Sequence, residues 1–150
     1  MVHLNQMPIA TNSDKIILNS EKATKEFAEN FLNKVKPNYI VFIYGEMGVG
    51  KTTFIKYLVN AFQQKNKIKI TEVTSPTFNL LNQYDVNKFV VNHYDLFRLK
   101  NEGELKSLGL FEDNLKTITL IEWPEIIQKK PEKLIESVSY THLRAHETLA

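Results

Sequence analysis

Hydrophobic and polar positions divide the chain into stretches of different period. Residues 1–15 are mostly polar without a regular pattern and are expected to form a flexible N-terminal segment. Ile16-Ile17-Leu18 has the length of a short edge strand. From Asn19-Ser20 the period changes. Ser20 is a fitting helix N-cap with Glu21 in the first turn, and Phe27, Ala28, Phe31, Leu32 and Val35 recur at helical spacing until Pro37-Asn38. Tyr39 to Tyr44 is an unbroken β-branched and aromatic run, as expected of a strand buried on both faces. A glycine-rich loop follows. Then comes a helix over Lys51 to about Gln64, with Phe54, Ile55, Leu58, Val59 and Phe62 on its inner side.

The second half reads as mixed structure. Ile68-Lys69-Ile70 leads toward an extended segment, and Thr74 to Thr77 forms a loop. Phe78 to Tyr84 and Phe89 to Asp95 are two strands joined by a hairpin turn at Asp85 to Lys88. A helical patch begins at Asn101, and Thr117 to Ile121 is a short buried strand that ends in Glu122-Trp123-Pro124. One strand–loop–helix unit followed by a hairpin predicts an α/β fold, a mixed sheet with flanking helices.

The glycine-rich loop carries the chemistry. Gly45-Glu46-Met47-Gly48-Val49-Gly50-Lys51-Thr52 matches G-x-x-x-x-G-K-[ST] without a gap, between a strand and a helix. Such a loop turns successive amide N–H groups inward as an anion nest, and the helix adds its positive end. Lys51 is placed to reach β- and γ-phosphates, and Thr52 to offer a hydroxyl to Mg²⁺. The spacing predicts a P-loop NTPase-like protein. No Asn-Lys-x-Asp guanine-reading motif occurs, which favours ATP.

Acidic partners for such a site belong at the ends of neighbouring strands. Asp95 and Glu122 fit, with a strand-end cap and a surface turn as their respective plain alternatives. His93 shares a strand face with Asp95, so it either orients Asp95 or a water, or is a half-buried hydrogen-bonding residue. Trp123, the single tryptophan, is either packing or part of a site wall. The chain has two arginines, Arg98 and Arg144. Arg98 is the candidate for stabilising charge in cis, or else a structural ion-pair residue.

Composition narrows the classes. Over 150 residues the net charge is +2 and the lysines are dispersed, so no basic stripe marks a nucleic-acid surface. The absence of cysteine excludes disulfides and thiolate chemistry. No signal-peptide pattern or membrane-length apolar run occurs, which gives the expectation of a cytoplasmic protein without a membrane partner.

The loop from Gly45 to Phe54, then Ser75-Pro76-Thr77-Phe78, then His93-Tyr94-Asp95-Leu96-Phe97-Arg98-Leu99, then Ile121-Glu122-Trp123-Pro124-Glu125 occur in this order. Together they resemble the TsaE (YjeE) family of bacterial ATPases, which assist threonylcarbamoyl modification of adenosine in tRNA. The resemblance covers about residues 16 to 130. It implies binding and slow, partner-stimulated hydrolysis of Mg-ATP. Gly45 to Thr53 would bind nucleotide, with Thr24 near the base. Thr52 and Glu122 would hold the metal, and Asp95 and Glu122 would serve catalysis. Ser75 to Thr77 would act as a switch-like loop. The implied partners are a TsaD-like transferase subunit and its TsaB-like paralogue, with tRNA engaged only indirectly.

The sequence departs from that pattern at Glu46, where Asp is usual, at Met47-Gly48-Val49, where Leu-Gly-Ala is usual, and at Phe97, where Tyr is usual. Residues 16–136 form the expected ATPase domain. Residues 137–150 resemble nothing in the family and are expected to be a non-native tail on a truncated domain. The alternatives to an ATPase are a small P-loop kinase, against which the scarcity of arginine counts, and a nucleotide-gated binding module with little turnover.

Overall fold

Residues 2–7, 14–16, 20–45, 49–76, 80–112, 114–128 and 135–140 are described by the computed structural model. The strands are β1 (Val2–Met7), β2 (Asp14–Ile16), β3 (Ile40–Gly45), β4 (Leu81–Asp85), β5 (Val90–Asp95), β6 (Thr117–Glu122) and β7 (Ile135–Tyr140). The helices are α1 (Glu21–Phe31), α2 (Val49–Lys65) and the short α3 (Glu102–Lys106). One seven-stranded sheet runs β2-β1-β7-β3-β6-β5-β4. Its centre, β7-β3-β6-β5, is parallel, and antiparallel strands finish both sides.

Local chemistry explains most boundaries. Ser20 caps α1, its Oγ accepting from the Ala23 N–H at 3.1 Å. A one-turn 3-10 helix over Leu32–Lys34 then ends the run. Asn101 caps α3 in the same way, accepting from the Glu104 N–H at 3.0 Å. The hairpin turn after β4 is set by Asp85, whose Oδ1 accepts from the Asn87 N–H at 2.8 Å while Asn87 takes φ 81°.

The central strands are buried on both sides. Val41 and Ile43 of β3 pack with Ile118 and Leu120 of β6 under the α1–α2 layer, while Ile40 and Phe42 pack with Ile121, Tyr94 and Leu105 on the other face. This explains why β3 reads as a continuous apolar run. Phe27, Phe31 and Phe54 join α1 to α2, with ring centroids 5.6–6.0 Å apart.

Several expectations differ from the structure. The segment expected to be irregular, 1–15, contains β1 and most of β2. The edge strand ends at Ile16, and Ile17 and Leu18 lie outside the described residues. The domain boundary expected at 136 falls inside β7, which pairs with β3 from Ile40↔Ile135 to Gly45↔Tyr140 and with β1 on its other side. Four residues of the expected non-native tail thus sit within the sheet. Pairing partners far apart in sequence supply what local pattern does not. Residues 141–150, Arg144 among them, lie outside the described residues. Ile68 to Ile70 forms no strand. That stretch is held instead by buried Gln63, whose side chain bonds Thr71 Oγ1 at 2.8 Å and the Thr71 N–H at 3.2 Å. Among the described residues no helix is long and apolar enough to cross a membrane.

Candidate functional site

Three parallel strands bring their carboxyl ends together at one edge of the sheet, where α/β folds bind ligands. β3 ends at Gly45, β5 at Asp95 and β6 at Glu122. The register sets Glu122 opposite Ile43 on one side and opposite Asp95 on the other. Gly45 takes φ 148°, which L side chains rarely adopt, and turns the chain out of the sheet toward α2. Gly50, Lys51, Thr52 and Thr53 form the first turns of α2. Val49 opens that helix, and Glu46, Met47 and Gly48 lie outside the described residues.

Lys51 is the centre of the cluster and is only 2% exposed. Its Nζ donates to the Gly45 carbonyl at 2.9 Å and sits 3.6 Å from the centroid of the Trp123 ring. Burial holds its pKa below the ordinary lysine value, against the opposing fields of Glu122, Asp95 and Glu125. Among the described residues no carboxylate closes to ion-pair distance with it. Among the described residues this buried cation is held by one carbonyl and one aromatic face.

Thr52 Oγ1 lies 2.9 Å from Ser75 Oγ, which ties the start of α2 to the loop over Thr74 to Pro76. Thr77 and Phe78, also named in the sequence pattern, lie outside the described residues. Asp95 is half-buried. Its Oδ1 accepts from the Phe97 N–H at 3.0 Å. Burial raises the Asp95 pKa above its usual value, the Phe97 N–H works against that, and the nearby Glu122 charge adds to it.

Glu122 is 3% exposed and is held by His93, whose Nε2 lies 2.6 Å from Oε2. The sequence places His93 on the Asp95 face. The structure gives its described hydrogen bond to Glu122 instead, and the ring is fully buried. The parallel β5–β6 register, with His93 opposite Leu120, makes this diagonal contact.

Trp123 takes a left-handed conformation, φ 56° and ψ 55°, before a short 3-10 turn over Pro124–Ile126. This turns its ring back over Lys51 and against Phe97, at 4.9 Å between centroids. Its position beside Glu122 is a sequence signal for a site wall, but the lysine contact depends on the left-handed turn. Arg98 is exposed and follows Phe97. Thr24 is buried in α1, and its Oγ1 donates to the Ser20 carbonyl at 3.3 Å. No described contact links Thr24 to Lys51 or Thr52.

Among the described residues no three His, Asp or Glu side chains form a self-sufficient metal site. The available hydroxyl of Thr52 and carboxylate of Glu122 are hard oxygen donors. Such a partial set suits Mg²⁺, which completes its shell with water and substrate phosphates, better than a thiol- or imidazole-seeking metal.

Comparison with known proteins gives the family and the fold. The family described as threonylcarbamoyl adenosine biosynthesis protein TsaE matches residues 18–148 and so extends past residue 136. The tRNA threonylcarbamoyladenosine biosynthesis protein TsaE of Rickettsia bellii is 46% identical over 125 residues, 83% of this chain and 84% of the relative. That of Aquifex aeolicus is 34% identical over 111 residues, 74% of this chain and 77% of the relative. Among solved structures, Bacillus subtilis YdiB superposes with a TM-score of 0.50 at 18% identity, over 91% of this chain and 84% of that one, a likeness of fold. With a family match over most of its length and relatives this similar across two distant bacteria, the chain belongs to the TsaE family.

Proposed function

We propose that this chain binds and hydrolyses Mg-ATP in support of tRNA threonylcarbamoyladenosine formation. The observation that carries the reading is the buried Lys51 ammonium, which lies within the fields of Asp95 and Glu122 at the carboxyl edge of the parallel strands. The pathway comes from the family, whose members are named for threonylcarbamoyladenosine biosynthesis.

The residues divide the work as follows. The loop from Gly45 to Thr53 wraps the phosphates, and Lys51 leaves Trp123 to neutralise their charge. Thr52 and Glu122 would hold a magnesium ion, which when bound would offset negative charge on the phosphate oxygens. Asp95, made more basic by burial, orients a water for attack on the γ-phosphorus and takes its proton. The bond to the ADP oxygen breaks as the new P–O bond forms, giving ADP and inorganic phosphate. Phosphoryl transfer needs little beyond such positioning and charge stabilisation.

A stabilising arginine contributes about 10³–10⁵ in rate where P-loop enzymes use one. Here Arg98 is exposed, and turnover by the chain alone is expected to be slow. The partners in this reading are a TsaD-like transferase subunit and its TsaB-like paralogue, and tRNA is engaged through them.

The test is ATP hydrolysis by the purified chain, alone and with both subunits, beside a Glu122→Gln control. Slow turnover that rises with the subunits and falls in the control supports the reading. Nucleotide binding with no response to either subunit would favour a small P-loop kinase or a nucleotide-gated module.

A further inference from the structure

His93 is buried completely, and no step described above uses it. Its Nε2 meets Glu122 Oε2 at 2.6 Å, 29 residues away in sequence, with both side chains enclosed. An ionised carboxylate only accepts hydrogen bonds, so the hydrogen lies on Nε2. The other ring nitrogen, Nδ1, is buried and has no partner among the described residues. A bare acceptor nitrogen is tolerated in an interior better than an orphaned N–H. The surroundings therefore place the donor hydrogen on Nε2.

A histidine that only fills space and satisfies the core would be expected to find partners for both nitrogens. This ring spends its one donor on the metal-side carboxylate. The consequence for Glu122 is specific. Among the described residues Lys51 is a cation whose ammonium feels the Glu122 charge. A Glu122–Lys51 ion pair would consume both groups that a nucleotide needs. The Nε2–H contact holds the carboxylate in place and leaves the lysine ammonium to its own site.

We infer that His93 is the positioning residue of the acidic side of this site: its Nε2–H fixes Oε2 of Glu122, keeps the carboxylate off Lys51 and leaves Oε1 for the magnesium ion. The inference rests on the reading of Glu122 as a magnesium-holding residue. Partners of this kind typically change metal affinity about 10–100-fold when removed.

The experiment compares wild type, His93→Gln and His93→Leu. The glutamine amide can donate from a similar reach, whereas leucine fills volume without donating. ADP affinity is measured by calorimetry in EDTA and across a Mg²⁺ titration. In His93→Leu, affinity in EDTA stays within about twofold, and the Mg²⁺ needed for half of the metal-dependent gain rises about 10–100-fold. His93→Gln recovers most of that loss. Nitrogen NMR of the nucleotide-free wild type, which needs no variant to fold, shows the hydrogen on Nε2. The inference is overturned by a wild-type Mg²⁺ response in His93→Leu, by a glutamine variant as impaired as leucine, or by an Nε2 that carries no hydrogen. If wild-type ADP binding itself ignores Mg²⁺, the reading of Glu122 as a magnesium-holding residue falls and takes this inference with it. A normal wild-type response that neither substitution alters removes the His93 role alone.

Discussion

Replacing Lys51 by methionine separates what the ammonium does for the fold from what it does for a ligand. Enclosing an ammonium costs several kcal/mol even after relaxation. Among the described residues two contacts offset that cost. The charged hydrogen bond to Gly45 contributes about 1.5–3 kcal/mol and the Trp123 face about 2 kcal/mol when desolvated. The terms nearly balance, and methionine keeps most of the side-chain volume. Lys51→Met is therefore expected to leave stability between unchanged and about 2 kcal/mol higher, a Tm rise of up to about 8 °C for a chain of this size. Nucleotide binding loses two charged hydrogen bonds, about 3–6 kcal/mol, or roughly 10²–10⁴ in Kd.

A pH arm tests the same physics. Burial holds the Lys51 pKa below the ordinary lysine value, so the unfolded chain binds that proton more tightly. Wild-type stability then gains a contribution as pH rises from the folded value to the ordinary one, and the variant does not. The Tm gap between the two narrows toward that alkaline limit. Scanning calorimetry and titration calorimetry with Mg-ATP read both quantities. A Tm loss beyond about 5 °C would refute the balance of terms, since about 2–4 °C corresponds to 1 kcal/mol. An ATP affinity within about threefold of wild type would refute the phosphate role, because two charged hydrogen bonds carry far more than that.

Other substitutions probe other links. The folded Asp95 carboxyl binds its proton more tightly than the unfolded chain does, so its contribution to stability is present below the ordinary aspartate value and lost as pH rises through the folded one. Asp95→Asn keeps the acceptor for the Phe97 N–H and should raise Tm at pH 7 but not at about pH 3, while turnover falls about 10²-fold or more. Phe54→Ala removes the ring shared by Phe27 and Phe31 and should cost about 3–5 kcal/mol in urea unfolding. Ser20→Ala removes the α1 cap and should cost about 1 kcal/mol by the same measurement.

What the chain order alone made legible is local. The phosphate loop is contiguous, so its glycines, Lys51 and Thr52 stand in one readable stretch. Ser20 and Asn101 announce their helices because a cap acts across three residues. The double-sided burial of β3 shows as an unbroken apolar run, and Asp95 and Glu122 stand out because each ends a hydrophobic strand.

Tertiary structure decided the pairings. Nothing within β5 tells His93 to bond Glu122 rather than Asp95; the parallel register with β6 does, across 29 residues. The left-handed turn at Trp123, not its neighbours in sequence, lays the indole over Lys51. β1 and β7 are weakly patterned and become strands because each completes the other's backbone hydrogen bonds beside β3. A backbone donor or acceptor must be satisfied wherever its partner lies, and that partner is named by the fold, not by the residues on either side.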